Sequence, residues 1–372
     1  MCFGFFDGIK PLPPLRDKYK SEEKYQKAYA KYEKKLEEYL DEDNSRRRIA
    51  NSKAASTAGV SYAIGAELKM GSREVHIAVL DTDIPCYHVY AKRGLYSSQF
   101  NSLLTAAASR INEAYRNSSK APLSVHVTAF DVVGGSYPHP ATLRASQRSS
   151  SEKSPPGFHG PIDAILVTGA AAVVYDELHW APKLRSFIRA VYADYPLVKI
   201  FGSCFGHQLI GEVLLASDKS FTNEKASFKI TVGATSQGHE IGMLPITLNP
   251  SFVSHFPPLA RFSREQSAGV TGAMLPEPWL NVGSSLKCPI QGLYQPDRVL
   301  TLQGHFEFDA FATAELCYKF ASQFGWSQEV LDAHLESIRR SVRPGREDED
   351  DSKVAAEAVL LFFAGEDVRV DA

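Results

Sequence analysis

"KIFGSCFGHQLIGEVL", Lys199 to Leu214, sets a cysteine between a strand-like apolar run and a helix-like run, with Gly202 and Gly206 two positions to either side. Gly202-Ser203-Cys204-Phe205-Gly206 has the form G-x-C-x-G, that of a nucleophile elbow. A strand that turns so abruptly into a helix forces a strained backbone on the middle residue, and the flanking glycines relieve the crowding. The turn sets the thiol at the helix N-terminus, where the dipole and unpaired N–H groups favour the thiolate. The Phe205 N–H is then placed to help hold a developing oxyanion. The bland alternative is a small buried cysteine in a tight turn, and the surrounding chain has to decide.

Outward from the elbow, apolar runs of strand length alternate with runs of helical spacing. "EVHIAVLDTD", "LSVHVTAFDVV", "IDAILVTGA" and "LVKIFGS" read as strands. Between them, "SSQFNSLLTAAASRINEAY" and "WAPKLRSFIRAVYADY" repeat apolar residues at three and four positions, as does "GHQLIGEVLLA" after the last of them. Such alternation predicts right-handed crossovers and a mostly parallel α/β sheet with helices on both faces. Active residues in such sheets gather beyond the carboxyl ends of the strands. Residues 134–161, rich in Gly, Ser and Pro, read as a surface loop, and Phe228 to Val299 as irregular, with short pieces such as "FKITVGA", "MLPITL" and "CPIQGLY". "RVLTLQGHFEF" is a last strand with its exit. Three helices are expected after it, with "REDEDDS" a solvated acidic loop before the third.

A thiolate that attacks a carbonyl needs a base, and the base an orienting group. His305 and Glu307 follow the last strand two positions apart, so an extended segment points both the same way. His207 lies inside the elbow helix and reads as structural. Thr168-Gly169-Ala170, directly after a strand, is the candidate for a second oxyanion donor.

Residues 1–73 form a separate N-terminal extension in this reading. Tyr25, Tyr29, Tyr32, Leu36 and Tyr39 stripe one face of a charged helix, and "NSRRRIANSKAASTAGVS" is a polar linker. The 372 residues carry a net charge of −2, which argues against nucleic acid as a partner. No apolar run reaches transmembrane length, and the first residues lack the apolar core of a secretory signal, so no membrane association is expected. Five scattered cysteines without a C-x-x-C pair favour free thiols in a reducing, cytoplasmic compartment and no metal site.

"IFGSCFGHQ", "ILVTGAAAVVYDE", "SSLKCPIQGLYQPDRVLTLQGHFEF" and "IAVLDTDIP" together resemble the class I glutamine amidotransferases, in their stand-alone fungal and plant-type branch. The resemblance covers residues 74–366 and implies a flavodoxin-like fold. It implies Cys204 as nucleophile, His305 as base and Glu307 as orienting acid. It further implies oxyanion donors at Gly169, Ala170 and Phe205, and contact of Gln208 with the glutamyl group. The usual H-P-E reads His305-Phe306-Glu307 here, and "SREQSAGVTGAMLPE" lacks the histidine that relatives carry. No cofactor is implied. The implied substrate is glutamine or a γ-glutamyl small molecule such as a γ-glutamyl peptide or glutathione conjugate, cleaved through a glutamyl thioester. If ammonia is transferred, its acceptor is a separate synthetase chain. The competing expectation is a catalytically silent binding or regulatory module on the same scaffold.

Overall fold

The computed structural model describes Lys24 and residues 73–118, 120–147, 160–216, 232, 240, 245–256, 275–341 and 351–367. The chain divides into two units, Met1–Met70 and Gly71–Ala372. The tyrosine-striped helix and its linker lie outside the described residues, Lys24 excepted, and so do "FKITVGA" (apart from Val232) and residues 263–274.

The second unit is built on a seven-stranded sheet. Its strands are β1 (Arg73–Asp81), β2 (Leu123–Asp131), β3 (Ala164–Val167), β4 (Lys199–Ser203), β6 (Leu280–Asn281), β8 (Leu293–Gln295) and β9 (Val299–Leu302). Their order is β2-β1-β3-β4-β9-β8-β6, while β5 (Thr247–Leu248) and β7 (Gly283–Ser284) pair separately. The first five strands of that order run parallel, and β8 and β6 add an antiparallel edge. Relabelled by position, β2-β1-β3-β4-β9 is the 2-1-3-4-5 order of flavodoxin-like sheets. The expected doubly wound α/β architecture is therefore what forms.

The near-continuous apolar runs have a simple cause. Alternate side chains point to opposite faces, and both faces are covered. Val75, Ile77, Val79, Ala164, Leu166, Phe201 and Leu300 face one core, beneath the helices Tyr96–Ala114 and Asp351–Phe363. Ala78, Leu80, Ile165, Val167, Ile200 and Val299 face the other, beneath the helix Ala181–Asp194 and the elbow helix Phe205–Gly211.

Some boundaries differ from the sequence reading. The elbow helix passes at Glu212 into a wider π-type turn that runs to Ala216. Asp351 and Ser352, expected in the acidic loop, open the last helix, where a carboxylate in the first turn suits the helix dipole. The helices Tyr87–Arg93 and Pro250–Ser254 are too short for a period to show in sequence. Among the described residues no helix is long and apolar enough to cross a membrane.

Candidate active site

Strands β3, β4 and β9 are neighbours in the sheet, so the loops leaving their carboxyl ends lie side by side. These three loops carry Gly169–Ala170, Cys204 and His305–Glu307.

Cys204 has φ 49° and ψ −104°, a backbone that a side chain enters at a cost of about 1–3 kcal/mol. Two close approaches hold it there. A Cβ on Gly202 would stand 2.5 Å from the Gly206 carbonyl, and one on Gly206 would stand 2.4 Å from Val167 O. Only glycine lets the elbow fold back so tightly against β3. Cys204 N–H donates to Leu302 O at 2.9 Å, and Gln208 N–H donates to Cys204 O at 3.0 Å, which ties the turn to β9 and to its own helix.

His305 Nδ1 lies 2.7 Å from Glu307 Oε1. The Glu307 side chain has no solvent exposure and also accepts from Ser203 Oγ, at 3.2 Å on Oε1. With Nδ1 on the carboxylate, the Nε2 edge is left for the cysteine. The imidazole lies flat on the Phe308 ring, 4.2 Å between centroids and 8° between planes. Phe306, standing where a proline is usual, turns the other way into the core, edge-on to Phe100 and Phe201.

Burial works against ionisation of both groups. Against that penalty, the His305 charge, its hydrogen bond and the Phe205 N–H hold the Cys204 thiol below its usual range, even with Glu307 opposing. The imidazolium is likewise penalised by burial. Glu307 and Cys204 nonetheless raise its pKa well above the ordinary histidine value. Together the shifts favour a thiolate–imidazolium pair over neutral thiol and imidazole.

The loop after β3 forms the facing wall. A Cβ on Gly169 would meet His305 Cε1 at 2.6 Å and Cys204 Cβ at 3.4 Å. Thr82 Oγ1 donates to Gly169 O at 2.9 Å. A planar trans peptide then turns the Ala170 N–H away from Thr82. The next N–H, of Ala171, is taken by Asp83 Oδ2 at 2.8 Å.

Gln208, one helical turn beyond Cys204, donates from Nε2 to Gln303 Oε1 at 3.2 Å. Gln303 Nε2 in turn donates to Cys204 Sγ at 3.5 Å. Gly169, Ala170, Cys204, His305 and Glu307 therefore lie on adjoining loops at one end of the sheet, and Phe205 and Gln208 on the elbow helix that starts there. His207 does not join them: it is buried beside Thr301 Oγ1 at 2.7 Å, and burial pushes its pKa down to about 4.

Sequence reasoning missed Ser203, Gln303, Phe308 and Thr82. The alternation that paired His305 with Glu307 also puts Gln303, two positions earlier, on the same side, so that signal was readable. A cavity of about 670 Å³ opens at the opposite end of the sheet, between Arg73, Asp163, Lys199 and Asp297, and takes no part in this arrangement. Among the described residues no group of three or more His, Cys, Asp or Glu side chains is placed to hold a metal ion.

No protein-family model matches the chain. A Saccharomyces cerevisiae protein provisionally named a glutamine amidotransferase is 35% identical over 204 residues, which span 54% of this chain and 70% of the yeast protein. A Schizosaccharomyces pombe protein, provisionally named glutamine amidotransferase-like, is 26% identical over 63% of this chain and 80% of its own length. Gamma-glutamyl peptidase 2 of Arabidopsis thaliana is 24% identical over 48% of this chain and 66% of its own. Among solved structures, a glutamine amidotransferase from Thermotoga maritima superposes with a TM-score of 0.43 and 14% identity, over 78% of this chain and 99% of that one. By its 35% identity across more than two thirds of the budding-yeast relative, the chain belongs to the class I glutamine amidotransferase-like family.

Proposed function

We propose that the protein is a cysteine-dependent hydrolase of γ-glutamyl amides, working through a glutamyl thioester on Cys204. One observation carries the reading: a cysteine held at φ 49° beside an imidazole whose far nitrogen rests 2.7 Å from a fully buried carboxylate.

In this mechanism the Cys204 thiolate attacks the γ-carbonyl, and the C–S bond forms as the carbonyl π pair moves onto oxygen. The Phe205 N–H and the Ala170 N–H receive that oxyanion. His305 delivers its Nε2 proton to the nitrogen, the C–N bond breaks and the amine leaves. The now neutral imidazole takes a proton from water, whose oxygen attacks the thioester. Glutamate departs and the thiolate–imidazolium pair is restored. Glu307 stays ionised throughout, holds the ring by Nδ1 and offsets its charge, as the third member of such a triad does.

With glutamine the leaving group is ammonia, and with a γ-glutamyl peptide it is an amine. The relative named a gamma-glutamyl peptidase favours the second. Cys86, Cys204, Cys288 and Cys317 are all free thiols, which suits a reducing compartment such as the cytoplasm.

The test is glutamate release by the full-length protein over glutamine, glutathione and γ-glutamyl dipeptides. Release that is greater from peptides than from glutamine supports the reading. A folded protein that releases glutamate from none of them overturns it and leaves a binding module.

A further inference from the structure

Ser203 is the last residue of β4 and has no solvent exposure. Ile200 and Phe201 before it lie in the core, and a hydroxyl buried in such surroundings is unfavourable unless it is hydrogen-bonded. Its single proton goes to Glu307: Oγ stands 3.2 Å from Oε1 and 3.5 Å from Oε2. Two residues earlier, on the same face of the strand, Phe201 meets Phe306 edge-on. One apolar and one polar contact therefore seat residues 306 and 307 on the strand that leads into Cys204.

The Glu307 side chain is fully buried, and among the described residues it accepts from two donors, His305 Nδ1 and Ser203 Oγ. The terminal torsion of a glutamate is soft. With His305 as its only partner, the carboxylate would be free to swing about that bond and to carry the ring with it. A hydroxyl within reach of both oxygens fixes the carboxylate plane, and with it the line along which Nδ1 is held.

We propose that Ser203 is a positioning residue: its hydroxyl ties the Glu307 carboxylate to the strand that carries Cys204, and through Glu307 it sets the His305 ring against the thiol. The assignment rests on the Cys204–His305–Glu307 reading above and not on the choice of acyl group. The charge and hydrogen bond of His305 help to hold the Cys204 thiol below its usual range, so a ring with more freedom to turn supports the thiolate less well. Loss of the hydroxyl should therefore make Cys204 less reactive, although Ser203 Oγ bonds to Glu307 alone.

The test is a double-mutant cycle on the full-length protein. Wild type, Ser203→Ala, Glu307→Gln and the double variant are alkylated with iodoacetamide from acid to alkaline pH, and modification of Cys204 is followed by peptide mass spectrometry. Alone, Ser203→Ala should raise the midpoint and slow alkylation at neutral pH by about threefold to tenfold, for loss of one hydrogen bond to a charged group. In the Glu307→Gln background it should slow it by less than about twofold, because residues that act through one another are not additive. A merely structural role would slow both backgrounds by the same factor, and that result would overturn the proposal. So would a Ser203→Ala variant that alkylates like wild type while Glu307→Gln does not. If neither single variant slows alkylation, the triad itself falls, and the role of Ser203 with it.

Glutamate release supplies a second reading. Ser203→Ala should lower kcat by about the same threefold to tenfold and leave KM within about twofold, because the hydroxyl acts on the base and not on bound substrate. A raised KM with unchanged kcat would overturn the proposal. Alkylation needs no substrate, so a wild type that releases no glutamate would remove the γ-glutamyl reading and leave the cycle to decide the role of Ser203.

Discussion

The Gly169 backbone and the His305 ring are in such close contact that a Cβ on Gly169 would stand 2.6 Å from Cε1. His305 therefore meets Cys204 beside a surface that tolerates no side chain. Gly169→Ala should push the imidazole off its line to Cys204. A misplacement of about 1 Å in such a site costs roughly a hundredfold in rate, while overpacking costs about 1–3 kcal/mol of stability. Activity and urea unfolding measured on one preparation check this. Full activity in the variant would show that His305 does not need its present seat.

The flat stack of His305 on Phe308 favours the imidazolium, because a cation over an aromatic face gains about 0.5–2 kcal/mol. Phe308→Leu should lower the pKa of His305. The ring then loses its proton at lower pH, so the alkaline limb of the pH–rate profile should move towards neutrality, with kcat down by less than about tenfold at its optimum. An unmoved alkaline limb would show that the stack adds nothing to the pull of Glu307 and Cys204.

The ion pair also fixes how reactivity follows pH. The lowered pKa of Cys204 keeps the thiolate as pH falls below its ordinary value of 9.0, until the lowered folded value is passed. The raised pKa of His305 keeps the imidazolium as pH rises above 6.5, until the raised folded value is passed. Activity should plateau between the two and fall on both sides. The same sign holds for stability. The thiolate's contribution is lost on acidification through its folded pKa, and the imidazolium's on alkalinisation through its own. His305→Ala should return the thiol towards 9.0 and slow its alkylation at neutral pH by roughly tenfold or more. A rate profile governed by a single rising limb near that ordinary thiol value would contradict the pair.

Phe306 is 8% exposed and packs on Phe100 and Phe201. Phe306→Ala should cost about 3–5 kcal/mol of unfolding free energy, the usual price of emptying a core aromatic. It should also reduce activity, because the same segment aims His305 and Glu307. Denaturant unfolding with a loss below about 1 kcal/mol would show that Phe306 is no anchor.

The sheet and both its covered faces were legible because runs such as Ala164–Val167 are apolar at every position, as a strand buried on two sides must be. The elbow was legible because a cysteine between two glycines has few other physical uses. Gln303 was legible in principle, by the same two-residue alternation that pairs His305 with Glu307. Phe308 was not, since nothing local shows that its ring lies parallel to an imidazole two positions away from its neighbour Glu307. Thr82 was not either, because its hold on Gly169 O joins residues 87 apart in sequence. The antiparallel edge, β8 and β6, consists of strands of three and two residues, too short for any alternation to register.

The central claim is that Cys204 carries the acyl group. The most direct measurement is intact-protein and peptide mass spectrometry after exposure to a chloroketone analogue of glutamine, alongside glutamate release, in wild type and Cys204→Ser. The exchange nearly conserves volume and leaves Gly202 and Gly206 in place, so stability should change by about 1 kcal/mol or less. Wild-type Cys204 should take one label, a γ-glutamyl substrate should protect it, and the folded variant should show neither label nor release. A folded wild type that takes no label on Cys204, or a serine variant that still releases glutamate at the wild-type rate, would contradict it.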